Sequence, residues 1–182
     1  SADGKIFCWG GNSEGQLGDG TQTDSLNPVQ SLSLGHGRYA VSLTAGDEHS
    51  CAILDNGSVK CWGDNLYGQL GDGSYTSNSS PQLVENLSQG RTAVSIQAGA
   101  RHTCAILDNG SIQCWGDNQY RQLAITGSSS YNHPVSPSLP VNLTAHGLAL
   151  GDKHTCVLAG TGRVMCWGDS TNGQMGAGYQ IG

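Results

Sequence analysis

The stretch HSCAILDNGSVKCWGDNLYGQLG, residues 49–71, decides the fold of this chain because the chain repeats it. HTCAILDNGSIQCWGDNQYRQLA follows at 102–124, HTCVLAGTGRVMCWGDSTNGQMG at 154–176, and the second half alone, FCWGGNSEGQLG, at 7–18. One tryptophan marks each copy: Trp9, Trp62, Trp115 and Trp167. Their spacings of 53, 53 and 52 residues are typical of an array of equal structural units.

Each complete copy has the pattern of a β-hairpin. Two apolar or β-tolerant runs, 50–54 and 58–62, flank the turn-forming residues 55–57. A three-residue loop with its glycine in the left-handed conformation would place Cys51 opposite Cys61. A two-residue turn would place a cysteine opposite the tryptophan, so the cysteines favour the longer loop. We therefore predict a non-hydrogen-bonded cysteine pair with Cα atoms about 4.5 Å apart, where a disulfide fits.

The seven cysteines sort by the same register. The predicted disulfide pairs are Cys51 with Cys61, Cys104 with Cys114, and Cys156 with Cys166. Cys8 aligns with the second member of a pair, and we expect its partner to precede Ser1. Recurrent disulfides favour an oxidising compartment, outside the cell or at its surface. Buried thiols in a reducing cell are the alternative, while a zinc site with His49 would need a fourth ligand that does not repeat.

Composition limits the class of protein. The chain has 182 residues, 28 of them glycine, and only 12% are charged. No run approaches the roughly 18 apolar residues that a membrane helix needs, so we expect no membrane span. With eight Lys and Arg and a net charge of −6, the chain is also unsuited to nucleic-acid binding, which depends on clustered basic side chains.

Two further strands complete each period. The predicted innermost strands, with apolar alternation and small residues, are 40–45, 93–98 and 148–150. The predicted outer strands, each opened by a proline, are 28–30, 81–84 and 140–143. Four antiparallel strands per period make one blade of a β-propeller.

The sequence thus predicts an all-β fold of about 3.5 four-stranded antiparallel blades in a single repeat array. We divide the array into a remnant at 1–30, blades at about 31–83 and 84–143, and a partial blade at 144–182. We expect the remaining blades of a ring to come from other segments of the parent chain or from other copies. Because the two end faces of the array would be apolar and open, we also expect the chain alone to oligomerise or aggregate.

Two motifs carry a family resemblance. Ala-Gly-x-x-His-(Ser/Thr)-Cys-Ala occurs at 45–52 and 98–105, and Gly-x-(Val/Ile)-x-Cys-Trp-Gly-x-Asn-x-x-Gly-Gln-Leu-Gly at 57–71. Together they closely resemble the regulator-of-chromosome-condensation repeat, over nearly the whole chain. The resemblance implies a seven-bladed β-propeller, of which this chain would form about half. That family is functionally diverse, so function must be argued from residues grafted onto the fold.

We predict a non-enzymatic protein-binding or structural module of an extracellular, surface or fibre-type protein. The resemblance implies two alternatives: an intracellular guanine nucleotide exchange factor or signalling scaffold, and a secreted enzyme inhibitor. No nucleophile elbow, phosphate loop or paired-carboxylate motif stands out, so we predict no catalysis, cofactor or metal site. His49, His102 and His154 recur once per unit, which indicates a role in the scaffold.

Candidate functional residues lie in the loops. The stretch 125–137 reads as a Ser-rich insertion, which is either a partner site or loop drift. The candidate partner contacts are Tyr67, Tyr120, Tyr131 and His133. The candidate glycosylation sites, each in an Asn-x-Ser/Thr sequon, are Asn56, Asn78, Asn86, Asn109 and Asn142.

Overall fold

The computed structural model describes residues 4–87, 90–140 and 143–176, which form thirteen strands and no helix, and therefore no helix able to cross a membrane. The strands are β1 (Phe7–Gly10), β2 (Ser25–Gln30), β3 (Ala40–Ala45), β4 (His49–Leu54), β5 (Val59–Gly63), β6 (Asn78–Leu83), β7 (Ala93–Ala98), β8 (His102–Leu107), β9 (Ile112–Asp117), β10 (Ser130–Val135), β11 (Ala145–Leu150), β12 (His154–Ala159) and β13 (Val164–Gly168).

The strands form four antiparallel sheets in chain order. The first blade is β3-β4-β5-β6 and the second is β7-β8-β9-β10. The third blade has three strands, β11-β12-β13, and the sheet before the first blade has two, β1-β2. The innermost strands β3, β7 and β11 lie side by side, so sheets that follow one another in the chain also pack on one another. The all-β propeller architecture is confirmed, while the unit boundaries assigned from the sequence stay a prediction.

The central hairpin of each blade has the predicted register. Ile53 pairs with Val59 and Cys51 with Cys61, and the turn closes through Leu54 N–H donating to the Ser58 carbonyl at 2.8 Å. The turn glycine, Gly57, has a φ of +76°, in the left-handed region that favours glycine.

All three predicted disulfides are present, each with its Cα atoms 4.1 Å apart. Cys8 is the free cysteine of the described residues and is half-buried on β1. Burial raises the pKa of its thiol, and the nearby charge of Asp19 raises it further. The three disulfides show that the spacing of the cysteines correctly predicted which strand residues pair.

The outer strand of the second blade corrects one prediction. It is β10, within the stretch 125–137 that was interpreted as an insertion, and not 140–143. Pro140 instead lies in the connection to the third blade, where Leu143 N–H donates to its carbonyl at 3.2 Å. Residues 141 and 142 lie outside the described residues. Since the proline follows the tryptophan by 19 residues in the first three units, at Pro28, Pro81 and Pro134, the loop contains no insertion.

The prolines also lie inside their strands and not at the start. Pro81 is the fourth residue of β6, and the register between β5 and β6 shifts between Cys61 and Gly63. Proline lacks the amide proton that a regular ladder needs, so an edge strand with a bulge accommodates it. The outer strand can therefore begin before its proline.

The hydrophobic core is divided among the interfaces between successive sheets, which we call seams. The first seam, between β1-β2 and the first blade, buries Ile6 and Leu34 against Trp62. The second seam, between the first and second blades, packs the Cys51–Cys61 disulfide near Trp115. The third seam repeats this arrangement, with Cys104 and Cys114 of the second blade and the half-buried Trp167 of the third. The Cys51–Cys61 and Cys104–Cys114 disulfides are thus part of a seam, whereas Cys156 and Cys166 of the third blade are half-buried.

Candidate protein-interaction surface

A single backbone carbonyl joins the two blades of the second seam. Gln69, in the loop after β5, accepts a hydrogen bond from Trp115 Nε1 at 2.9 Å and one from Thr103 Oγ1 at 3.1 Å. Both donors belong to the next blade and are fully buried. A buried carbonyl that lacks a partner is costly, so these bonds fix how the blades meet. We call this arrangement the seam lock.

A histidine extends the seam lock. His49 Nε2 lies 2.9 Å from Thr103 Oγ1. The threonine hydroxyl has one proton, which it donates to Gln69, so His49 must donate to it through Nε2. Its Nδ1 is buried and has no hydrogen-bond partner among the described residues. The prediction that the repeated histidines serve the scaffold by bonding between strands agrees with this geometry.

Burial keeps these histidines neutral. Desolvation lowers the pKa of His49 to about 4, with the charge of Asp64 opposing part of the shift. It also lowers the pKa of His102 to about 3, helped by the charges of His49 and His154. The neutral ring has one donor and one acceptor nitrogen; the seam lock uses the donor, Nε2, and the Nδ1 atoms of His49 and His102 are buried without a partner among the described residues. These histidines are therefore unsuited to act as proton donors near neutral pH.

The other two seams carry the same lock. In the first, Gln16 accepts from Trp62 Nε1 and Ser50 Oγ, each at 2.9 Å. In the third, Gln122 accepts from Trp167 Nε1 at 2.8 Å and from Thr155 Oγ1 at 2.9 Å, and His102 Nε2 lies 2.9 Å from Thr155 Oγ1.

A buried asparagine in each of the first three loops, Asn12, Asn65 or Asn118, holds the glutamine in place. Asn65 Oδ1 accepts from Leu70 N–H at 3.0 Å, and its amide donates to the Ser74 and Thr76 carbonyls at 3.2 Å. Gln69 Nε2 donates to Asp64 at 2.7 Å. Sequence reasoning missed these side chains, although the repetition of asparagine in the first three loops and of glutamine in all four was a usable signal.

Above the second seam, a tyrosine and an arginine meet at the surface. Tyr67 is in the loop after β5 and Arg101 is in the turn between β7 and β8. The guanidinium carbon lies 4.9 Å from the ring centroid, and Arg101 Nη1 donates to the Tyr67 hydroxyl at 3.1 Å. A cation over an aromatic face is attracted by the ring quadrupole. We call this end of the blades, with the loops after the hairpins and the turns between the two inner strands, the loop rim.

The third seam has an equivalent pair on the loop rim. Lys153 Nζ lies 4.5 Å from the Tyr120 ring centroid and 3.5 Å from its hydroxyl. The neighbouring Arg121 is exposed and has a φ of +62°, where the first blade has Gly68. A side chain in the left-handed region costs about 1 kcal/mol or more, and such strain tends to persist at functional sites. The third seam thus adds two cations to the loop rim, Lys153 and Arg121.

The first seam has acidic residues at these positions. Glu14 occupies the place of Tyr67, and Glu48 the place of Arg101, one period earlier. The adjacent Asp47 is exposed as well. The loop rim is therefore acidic over the first seam and carries aromatic and basic residues over the second and third.

The structure separates the four predicted contact residues. Tyr67 and Tyr120 belong to the loop rim, whereas Tyr131 and His133 are on β10. The Tyr131 hydroxyl donates to the Thr126 carbonyl at 3.1 Å, and the Ser128 amide donates to that hydroxyl at 3.2 Å. Tyr131 thus holds its own loop, and its role as a partner contact, like that of His133, stays a prediction.

The predicted glycosylation sites differ in accessibility. Asn56 and Asn109 are exposed at hairpin tips, Asn86 is exposed in a loop, and Asn78 is half-buried on β6. Asn142 lies outside the described residues. The described part of the chain contains no cluster of His, Cys, Asp or Glu that could hold a metal ion.

Comparison with known proteins identifies the fold family. The model of the regulator of chromosome condensation (RCC1) repeat matches residues 3–53, 56–106 and 109–158. The chain belongs to the RCC1 repeat family. A second model of the RCC1 repeat matches 40–69, 93–122 and 146–174, which centres on the hairpins.

The relatives that the chain matches are much longer than the chain itself. It is 36% identical over 178 residues to the probable E3 ubiquitin-protein ligase HERC6 of Homo sapiens, covering 95% of the chain and 17% of the ligase. It is 31% identical over 179 residues to the ultraviolet-B receptor UVR8 of Arabidopsis thaliana, covering 98% of the chain and 40% of the receptor. The RCC1 repeats here thus span less than half of either relative.

Solved structures share the fold. Prp20p of Saccharomyces cerevisiae, described with its binding to Gsp1p and histones, superposes with a TM-score of 0.81 at 27% identity, over 94% of this chain and 43% of Prp20p. Human WBSCR16 superposes with a TM-score of 0.79 at 28% identity, over 89% of this chain and 42% of that protein. Different proteins therefore share the RCC1 propeller fold.

Proposed function

We propose that this RCC1-repeat chain is a non-enzymatic protein-binding module whose contacts are made by the loop rim. The observation that supports the proposal most is the seam-by-seam change of the rim, from Glu14 and Glu48 to the cation–tyrosine pairs, above an interior that repeats. Aromatic and arginine side chains are enriched at protein interfaces. Relatives such as Prp20p, whose description names protein partners, support the same class of function.

Site-directed photo-crosslinking in the source organism tests this proposal. A photoreactive amino acid replaces exposed Gln119 on the loop rim, or exposed Asn109 at the opposite end of the same blade. We expect specific protein crosslinks from position 119 and few from position 109. Equal crosslinking from both positions, or none from 119, would contradict the assignment of the loop rim.

We further propose that the module works in an oxidising compartment. The three disulfides support this location, since such bonds are rare in reducing cells. Alkylation of thiols in intact cells before lysis, followed by peptide mapping, should find Cys51 joined to Cys61. Alkylated Cys51 would instead favour a reducing compartment, and with it the exchange-factor alternative, which an exchange assay with a small GTPase would then test directly.

A further inference from the structure

We infer that the loop rim over the second and third seams binds an acidic peptide segment of a partner protein. The inference rests on the proposed protein-binding function and names the chemistry of the partner. It is carried by the two cation–tyrosine pairs, Tyr67 with Arg101 and Tyr120 with Lys153.

Each pair offers donors and no free strong acceptor. Arginine and lysine side chains only donate, so the Tyr67 hydroxyl accepts from Arg101 and keeps its own proton available. The Tyr120 hydroxyl stands in the same relation to Lys153. A ligand that satisfies both pairs must supply anionic oxygen acceptors, and carboxylates form charge-assisted hydrogen bonds with such donors.

The cations are ordered before a ligand arrives. Arg101 is held over the Tyr67 ring by stacking and by a hydrogen bond of 3.1 Å, although both side chains reach the surface. Binding then loses less side-chain freedom than it would with a mobile arginine. The rigid loop beneath, fixed by the seam lock, holds the pair at a constant height above the seam.

Neighbouring carboxylates make the second seam the stronger anchor. Asp152 precedes Lys153 in the third seam, and Asp47 takes the same place in the first. Ala100 stands there in the second seam, so no carboxylate directly precedes Arg101 in the sequence. The Asp47 amide donates to the Ala100 carbonyl at 3.4 Å, so the nearest carboxylate of this kind comes from the first blade and not from the turn of Arg101 itself. In a chain with a net charge of −6, this is a local concentration of positive charge beside an acidic first seam. An acidic segment lying over the second and third seams would avoid the first.

The blade spacing sets the pattern of the ligand. Stacked sheets lie about 10 Å apart, and an extended chain advances about 3.3 Å per residue. Two carboxylates about three residues apart in an extended segment would therefore reach both pairs. This spacing distinguishes the proposed ligand from a uniformly acidic one.

The experiment measures fluorescence anisotropy of a labelled Gly/Ser peptide of about twelve residues with glutamate at about every third position. The complete chain is titrated at low ionic strength. We expect Arg101→Ala to weaken binding about fivefold and Lys153→Ala somewhat less, with added salt weakening both further. The matched control is Arg91→Ala, since Arg91 is a surface cation near Asp108 at the opposite end of the blades. This variant should leave binding unchanged. Replacing every glutamate of the peptide by glutamine should abolish binding.

Three outcomes would overturn the inference. The unaltered chain could fail to bind the glutamate peptide, Arg91→Ala could weaken binding as much as Arg101→Ala, or a single-stranded oligonucleotide of equal length could bind more tightly through Arg101. Unchanged circular dichroism of the variants excludes misfolding as the cause. Crosslinks from position 119 without peptide binding would reject the acidic ligand alone, and absence of both would reject the protein-binding proposal too.

Discussion

The first and second seams share one interior and have opposite rims. In both, a tryptophan and a hydroxyl of one sheet donate to a glutamine carbonyl of the preceding one. On the surface, Glu14 and Glu48 of the first seam stand where Tyr67 and Arg101 stand in the second. The contacts that build the propeller are repeated, whereas the exposed positions vary. The exposed rim positions can therefore differ between seams, and serve a specific function, without loss of the contacts that stabilise the fold.

A second difference lies inside the seams. Thr103 in the second seam faces His49, but Ser50 in the first seam hydrogen-bonds only to Gln16 among the residues that the structure describes. The second seam therefore contains a neutral buried imidazole that the first lacks, so the two should respond differently to acid.

Removing the seam tryptophan should have the largest effect. We expect Trp115→Ala to lower the free energy of unfolding by about 4 kcal/mol, since it opens a cavity in the second seam and leaves the Gln69 carbonyl with one donor fewer. Trp9→Ala is the matched control, because Trp9 is 63% exposed and should cost less than about 1 kcal/mol. Urea denaturation measures both, and equal losses would show that the seam does not depend on its indole.

Removing a disulfide should have the next largest effect. Replacing Cys104 and Cys114 together by alanine should lower the free energy of unfolding by about 2 to 3 kcal/mol, because the bond constrains a short loop of the unfolded chain. Cys8→Ala should change it by less than about 0.5 kcal/mol, as no bond is lost. If the double variant were as stable as the parent in denaturant, the disulfide would not stabilise the third seam.

Acid should weaken the second and third seams. The pKa of His49 falls to about 4 and that of His102 to about 3 in the folded chain, against an ordinary value of 6.5. The unfolded state therefore binds protons first, and stability is lost as the pH falls below 6.5, by about 1 kcal/mol per pH unit for each histidine down to its folded pKa. Unfolding curves between pH 7 and about 4 measure this slope.

The variant His49→Gln should flatten that slope while keeping a donor for Thr103. His36→Gln, at an exposed position on the opposite end of the blades, should leave the slope unchanged. A slope that survives His49→Gln unaltered would assign the acid sensitivity to other groups.

The smallest effect concerns backbone strain on the rim. Ala124 has a φ of +52° in the loop of the second blade, where the first blade has Gly71 with a φ of +69°. Ala124→Gly should raise the free energy of unfolding by about 0.5 kcal/mol, which is seen as a slightly higher melting temperature. The reverse change, Gly71→Ala, should lower it, because a Cβ there would lie 2.8 Å from Trp115 Nε1. A loss of stability on Ala124→Gly would show that the positive φ of Ala124 does not destabilise the loop.

The strand register of the hairpins could be predicted from the sequence because each hairpin contains a cysteine pair and a turn glycine. The cysteine pair selects one register, and the glycine of the turn allows one loop length. The outer strand of the second blade was assigned wrongly because Pro140 was matched to Pro81, although the constant interval from tryptophan to proline selects Pro134. A proline marks an edge strand only when its distance from the hairpin is respected.

The seam lock and the rim pairs could not be predicted from residue types. The acceptor of the lock is a backbone carbonyl, which every residue has, and its donors come from the next blade. Tyr67 and Arg101 are 34 residues apart and meet only because adjacent blades bring a loop and a turn together. Tyr67 and Tyr120 were proposed as contacts for their side-chain chemistry alone, and their role in binding stays a prediction.

The seam lock also has a direction, since the carbonyl always comes from the earlier sheet and the indole from the later one. The first and second blades thus each supply an acceptor to the following sheet and a donor to the preceding one. A gene segment encoding one period can be duplicated or deleted, and the two units brought together still find matching halves of the junction. Arrays of this kind can change in length by recombination without redesign of any single interface.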